Sequence, residues 1–285
     1  MKKIKIDFCD FWGGFDKTDN YFYNLLKEDY EIEISSNPDI LFFSLFGKNN
    51  LRYSCKKVFY TGENIPPPLK GIDNSFFDNK VVCDYSFSFD YMDDDRNYRL
   101  PHYLLYPGYY ELAKEKSIEE HLAKRKFCSF VVSNPGCQQR NDFFAKLSKY
   151  KKVDSGGRFA NNIGYAVQDK RKFQSEYKFA IAFENNAYRP QHPGYTTEKI
   201  MEPMTVNSIP IYWGNPLIGQ EFNTDSFISY YDFSSESDLI DYIIELDKDE
   251  DKYLEKMNNP WLREYNIPTA NRYENIKAFL RKIIE

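Results

Sequence analysis

The stretch Phe179-Ala-Ile-Ala-Phe-Glu-Asn-Asn186, followed by Tyr195-Thr-Thr-Glu-Lys-Ile200 and Ser208-Ile-Pro-Ile-Tyr-Trp-Gly-Asn-Pro216, reads as strand, loop, helix and strand. Apolar residues fill 179–183 and dominate 209–213, as in strands buried on both faces of a parallel sheet. A helix over 198–206 joins them into a βαβ unit. In open parallel sheets, ligands gather where strands run out at their carboxyl ends, so Glu184 and Asn185 are site candidates by position.

The same pattern extends to both sides. Residues 3–8 alternate Ile4, Ile6 and Phe8 with charged neighbours, while 40–46 and 58–60 read as more fully buried strands. Residues 128–132 and 227–231 supply further strands, and 141–150 and 170–178 supply helices. The whole is therefore an α/β protein with mainly parallel sheets in two series. The charged stretch 111–126 separates them, and we place the boundary near residue 122, giving domains 1–122 and 123–285. Ser235 and Asp238 have capping-box spacing before an apolar-faced helix. In the closing helix Ile276, Phe279, Leu280, Ile283 and Ile284 share a face, with Lys277, Arg281 and Lys282 pointing elsewhere, and this helix is a candidate to pack back on the first domain.

Composition narrows the function. At 285 residues the chain is long enough for one large domain or two of ordinary size. A net charge of -5 argues against a broad surface for nucleic acid, and 18% aromatic residues suit flat, amphipathic ligands. The 5 cysteines form no CxxC pair and His102, His121 and His192 are scattered, so no zinc cluster, tight His-based metal site or complete disulfide framework is expected. The opening Met-Lys-Lys-Ile-Lys-Ile-Asp7 lacks the apolar run of a signal peptide, and no window approaches a bilayer span. We expect a cytoplasmic protein without a transmembrane segment or membrane attachment.

Lys199 breaks a local rule. Thr196 or Thr197 suits the cap of the helix and Glu198 its first turn, but a cation beside the positive helix end loses about 0.3 to 1 kcal/mol. An anion there would compensate. A diphosphate at the helix terminus would gain from free backbone N–H groups and from the Lys199 ammonium together. An isolated Thr-Glu-Lys would read as exposed helix surface.

Context changes that reading, because the segment resembles the donor-binding motif of the bacterial α-1,3-fucosyltransferases, the inverting glycosyltransferase family 10 type. The matching blocks are Phe183-Glu184-Asn185, Gly194-Tyr195-Thr196-Thr197-Glu198-Lys199-Ile200 and 209–216. The resemblance extends to Ser133-Asn134-Pro135 with Arg140, to Phe59-Tyr60-Thr61-Gly62-Glu63-Asn64, and to Phe11-Trp12-Gly13. It implies two Rossmann-like domains facing a cleft, the GT-B architecture, with GDP-fucose held by the carboxyl-terminal domain. It implies transfer of L-fucose to a hydroxyl of an N-acetylglucosamine-containing, lactosamine-type oligosaccharide, with no cofactor or metal required. By resemblance Glu198 would bind the ribose hydroxyls and Lys199 the diphosphate, with Asn185 and Tyr195 lining the pocket and Glu184 as a further donor-side candidate. The family's phosphate-side Arg falls here on Ala160. Arg158, in Gly156-Gly157-Arg158, is the candidate replacement, against its reading as an ordinary loop residue. Arg189 and His192 lie in a loop longer than the family's and would shape the donor pocket or be solvated.

Inverting transfer needs a group that takes the proton of the acceptor hydroxyl. Glu63 follows the strand ending at Tyr60, and the family assigns its base to the Glu of this Gly-Glu-Asn block. Trp12 is the acceptor-side candidate, while the roles of His102 and of the aromatic-rich 103–110 stay open. Asp93-Asp94-Asp95 imitates a metal-binding Asp-x-Asp but sits away from a strand end beside Arg96, and reads as a solvated turn; residues 247–251 read as a solvated helix junction. Three rival readings remain: a related transferase using another nucleotide sugar, a sugar-binding protein without turnover, and a metal-dependent transferase built on the Asp93 run.

Overall fold

The computed structural model describes residues 1–72, 76–114, 116, 126–186, 193–263 and 270–285. The chain forms two compact units, the first made of Met1–Pro101 with Thr269–Glu285 and the second of His102–Pro268. The boundary expected near residue 122 falls outside the described residues, and the units divide earlier, at Pro101 and His102. The physical reason is the packing of the residues just after Pro101. Two 3-10 turns, His102–Leu105 and Pro107–Ala113, pack on the helix Glu198–Thr205 of the second unit. Gly108 backs onto that helix so closely that an added Cβ would stand 3.2 Å from Thr205 Cγ2 and 3.4 Å from Met201 Cε.

The first unit holds strands β1 (Lys2–Cys9), β2 (Tyr30–Ile34), β3 (Ile40–Phe43), β4 (Lys56–Tyr60), β5 (Tyr85–Ser88) and β6 (Asn97–Arg99), with helix α1 (Tyr21–Leu26) after β1. Among the described residues all pairings are parallel, in the order β2-β1-β3-β4-β5-β6. The order reverses between β1 and β3, the kind of switch point at which open parallel sheets bind ligands. Packing is aromatic: Phe42 stacks between Phe8 and Phe22, at centroid distances of 5.2 and 5.3 Å.

In the second unit β7 (Lys126–Phe130), β8 (Val153–Ser155), β9 (Tyr177–Phe183), β10 (Ile209–Trp213) and β11 (Ile228–Ser229) form a parallel sheet in the order β11-β10-β9-β7-β8. Its reversal lies between β7 and β9. Helices α2 (Gln138–Leu147), α3 (Lys170–Gln174) and α4 (Glu198–Thr205) connect the strands, and α5 (Glu236–Lys248) and α6 (Glu250–Asn258) come after them. Helix α3 is shorter than the expected 170–178 because β9 starts at Tyr177, whose hydroxyl donates to Asp154 at 2.9 Å. Ser235 caps α5 by accepting from Asp238 N at 3.1 Å.

Two charged side chains differ from the sequence expectation. Asp247 is not solvated: its side chain is 4% exposed, and it accepts from the Tyr150 hydroxyl and pairs with Lys151 and Lys178. In α7 (Ala270–Ile284), Lys277 does not point away from the protein but is buried, bonding Glu28 and Asp29 of its own unit. Phe279 sets its edge against Phe87 and Tyr85 while Ile276, Leu280 and Ile283 are buried, so the closing helix belongs to the first unit. Asp94 grips Arg96 within its turn, and Asp95 pairs with Lys282. No helix of the described residues is long and apolar enough to cross a membrane.

Candidate functional site

Carboxyl ends of strands at the reversal of the second sheet collect the polar residues. Glu184 emerges from β9 and is completely buried. Its Oε1 accepts from Thr197 N at 2.8 Å and its Oε2 from Thr197 Oγ1 at 2.7 Å, with the Lys199 ammonium 3.3 Å from Oε2. The anion that offsets Lys199 at the start of α4 is thus supplied by the chain itself. The sequence places Glu184 on the donor side, but with no exposed surface it acts as a strut that fixes the helix start. Burial raises its pKa, and Lys199 opposes that rise.

Thr197 is the cap of α4, and Lys199 Nζ donates to its Oγ1 at 2.9 Å. Burial would lower the Lys199 pKa, but the carboxylates of Glu184 and Glu198 outweigh it and raise the value, so the ammonium keeps its charge. Glu198, unlike Glu184, keeps part of its side chain open to solvent at the first turn. Its Oε1 lies 3.4 Å from Lys199 Nζ and its Oε2 lies 3.3 Å from His102 Nδ1. Burial would raise its pKa, but His102, Lys199 and Lys170 outweigh it and hold Glu198 ionised, well below the usual carboxylate range.

Around this cluster the remaining blocks serve as scaffold. Gly214 ends β10 where a Cβ would meet Glu184 Cγ at 2.5 Å and the Tyr212 hydroxyl at 2.8 Å, so only glycine fits. Asn215 Nδ2 donates to Thr196 Oγ1 at 3.1 Å and to Glu221 Oε1 at 2.8 Å, tying the Gly-Asn-Pro turn to the residue before the cap. Arg140 of α2 is wholly buried and joins the ends of β7 and β9, donating to Asn134 O and to Asn185 Oδ1, each at 2.6 Å. Tyr195 is buried and directly precedes the Thr196-Thr197 pair.

The structure places Glu184, Asn185, Tyr195, Glu198 and Lys199 along one segment of the second unit, between the end of β9 and the first turn of α4. Arg158 is exposed and follows β8, the edge strand of the sheet. Its neighbouring glycines make close contacts of another kind than a phosphate approach: a Cβ on Gly157 would meet Val132 O at 1.9 Å, and one on Gly156 would meet Val167 Cγ2 at 2.3 Å. Ala160, at the position of the family's Arg, takes a left-handed φ of 51°. Arg189 and His192 lie outside the described residues.

In the first unit, Glu63 comes after β4, half-buried, with its backbone N–H donating to Thr61 Oγ1 at 3.1 Å. Its carboxylate has no hydrogen-bond partner among the described residues. Trp12 comes after β1, 44% exposed, with Phe11 and Phe15 set against it. The nearby Asp10, at a φ of 60°, accepts from the backbone and side-chain nitrogens of Asn49 and Asn50 and so fixes this loop. Asp10 and His102 receive no role from sequence, because their partners are distant along the chain.

Two parallel sheets, each with a reversal of strand order, define an α/β protein of two doubly wound units. The model of the α-(1,3)-fucosyltransferase FucT N-terminal domain matches residues 6–106, and that of the glycosyltransferase family 10 (fucosyltransferase) C-terminal region matches 121–281. The chain belongs to this fucosyltransferase family. It is 31% identical to the α-(1,3)-fucosyltransferase FucT of Helicobacter pylori, over 99% of this chain and 66% of that protein. A putative fucosyltransferase of Acanthamoeba polyphaga mimivirus is 36% identical over 56% of this chain and 28% of its own length. The chain therefore spans less than two thirds of the length of these relatives. A crystal structure of an α1,3-fucosyltransferase with GDP-fucose superposes with a TM-score of 0.78 at 29% identity, covering 100% of this chain and 91% of the other.

Proposed function

We propose that the chain is an inverting α-1,3-fucosyltransferase that moves L-fucose from GDP-β-L-fucose to a hydroxyl of an N-acetylglucosamine-containing, lactosamine-type glycan. The observation that carries the reading is the first turn of α4, where the Lys199 ammonium and the ionised Glu198 stand side by side at a helix N-terminus. A diphosphate gains there from the helix N–H groups and from Lys199, while two carboxylate oxygens suit the adjacent hydroxyls of a ribose. The family membership points to GDP-fucose as the donor, and a solved relative was crystallised with GDP-fucose.

In this reading Glu63 takes the proton of the acceptor hydroxyl as that oxygen attacks C1 of fucose. The bond from C1 to the diphosphate oxygen breaks, and GDP leaves with its new charge stabilised by Lys199 and the helix terminus. Inversion converts the β-linked donor into an α-linked product. Asn185 and Tyr195 line the donor pocket, Trp12 faces the acceptor sugar, and Arg158 is the phosphate-side cation of the loop after β8. No cofactor or metal is required by this mechanism, and the protein acts in the cytoplasm.

Hydrolysis of a panel of nucleotide sugars, followed by linkage analysis of the product formed with lactosamine-type acceptors, tests the proposal. GDP-fucose is expected to be the donor consumed, with a new α-1,3 linkage. Turnover of another nucleotide sugar in its place, or tight sugar binding with no GDP released, would overturn it.

A further inference from the structure

His102 opens the second unit, far ahead of α4 in the chain, yet its ring nitrogen Nδ1 lies 3.3 Å from Glu198 Oε2. The segment is attached to α4 by more than this contact. Tyr106 sets its edge against the His102 ring at 5.2 Å, and the close approach of Gly108 to Met201 and Thr205 seats the same turns on the helix. The Nδ1 atom is shielded from solvent and makes no aligned hydrogen bond, a costly condition for a buried polar atom, and the Glu198 carboxylate is within reach to relieve it.

The two oxygens of Glu198 are thereby divided. Oε1 faces Lys199 and Oε2 faces His102, so neither can swing without losing a neighbour. Each carboxylate oxygen has a second lone pair, and fixing the plane of the group aims both at a vicinal diol. The other charged and titratable groups around the pair are Lys170 and Glu202, which bridge one another, Glu184 behind Lys199, and the Tyr106 hydroxyl, pushed up to about 12 by burial and by Glu198 and Glu202 and therefore protonated.

We infer that His102 is a positioning residue for the nucleotide donor: it holds Glu198 in the orientation that accepts the two ribose hydroxyls. The inference rests on the proposed function and deepens it, since it gives the donor site a residue from outside the Tyr-x-Thr-Glu-Lys block. His102, whose role the sequence leaves open, thereby belongs to the donor side.

The test uses the full chain with His102→Phe, which keeps a ring against Tyr106, and His102→Asn, whose amide nitrogen stands near the place of Nδ1. GDP affinity is measured by calorimetry and KM is measured separately for GDP-fucose and for a lactosamine acceptor. His102→Phe is expected to weaken GDP binding and raise the GDP-fucose KM by about tenfold, the loss of one polar contact to a charged group, with the acceptor KM unchanged. His102→Asn is expected to recover most of the loss, and in a Glu198→Gln background His102→Phe is expected to add less than about twofold, as coupled neighbours do. A shift in the acceptor KM alone, unchanged GDP affinity, or additive losses in the double variant would overturn the inference while leaving the function standing. If the unaltered chain binds no GDP and releases none from GDP-fucose, the proposed function fails and the assignment of His102 fails with it.

Discussion

Glu184 accepts hydrogen bonds from both the backbone N–H and the hydroxyl of Thr197, so the end of β9 and the start of α4 are held together by one buried carboxylate. Because Lys199 also leans on it at 3.3 Å, removing the carboxylate leaves a cation and a helix cap without their partner. Glu184→Ala is expected to cost about 3 kcal/mol, as breaking a buried ion pair does, and to weaken GDP binding as well. Urea unfolding checks the first effect; an unchanged midpoint would contradict the role of Glu184 as a strut.

Gly214 provides an independent handle on the same strut. A Cβ there would meet Glu184 Cγ at 2.5 Å, against β10 on one side and a buried side chain on the other. Gly214→Ala is expected to destabilise the chain by about 1 to 3 kcal/mol through overpacking, and to displace Glu184 and with it α4. Thermal unfolding together with GDP calorimetry measures both; a variant as stable as the parent with full GDP affinity would show that the turn has room to spare.

The βαβ unit at 179–213 was legible because burial on both faces leaves an almost unbroken apolar run, and the other strands read from sequence appear as well. Strands β2, β5, β6 and β8 were not read. Strands β2 and β5 carry the same two-residue alternation as β1, Tyr30-Glu-Ile-Glu-Ile34 and Tyr85-Ser-Phe-Ser88, so their signal is present in the sequence, whereas Asn97 and Asp154 interrupt β6 and β8, each only 3 residues long. At the site, Glu198 and Lys199 stand out in the sequence through the family resemblance, since a Thr-Glu-Lys at a helix start reads by itself as exposed helix surface. Glu184 was found too, but its inward orientation depends on where Thr197 folds, and His102 reaches Glu198 only through the packing of Gly108 on α4. Lys277 and Asp247 look like surface charges in the sequence because their partners are brought to them by folding.

Acid should loosen the closing helix of the first unit. The Tyr273 hydroxyl, aided by Lys277, holds the Glu28 pKa below its ordinary value, and Lys277 with Arg281 does the same for Asp29. Depressed carboxyl pKa values stabilise fully above the unfolded value of about 4 and lose that contribution as pH falls through the lower folded values. Asp29→Asn is therefore expected to lower stability by up to about 1 kcal/mol near neutral pH, the range for a partly exposed pair, and by less and less below about pH 4. Urea midpoints of the variant and the parent, compared from neutral pH down to about pH 3, measure this; a difference that is independent of pH would exclude the linkage.

Glu63→Gln separates chemistry from binding. On the proposed assignment it removes the proton acceptor and leaves the donor site intact, so kcat is expected to fall by about 100- to 10,000-fold with GDP affinity unchanged. Steady-state rates and calorimetry on the same preparation decide it. A loss of less than about tenfold would assign the base elsewhere.

The most direct test of the account is a crystal structure of the chain with GDP. The diphosphate is expected within about 3 Å of Lys199 Nζ and of the first N–H groups of α4, with the ribose hydroxyls on the Glu198 carboxylate. A nucleotide bound away from Lys199, with Glu198 facing no ribose, would contradict it.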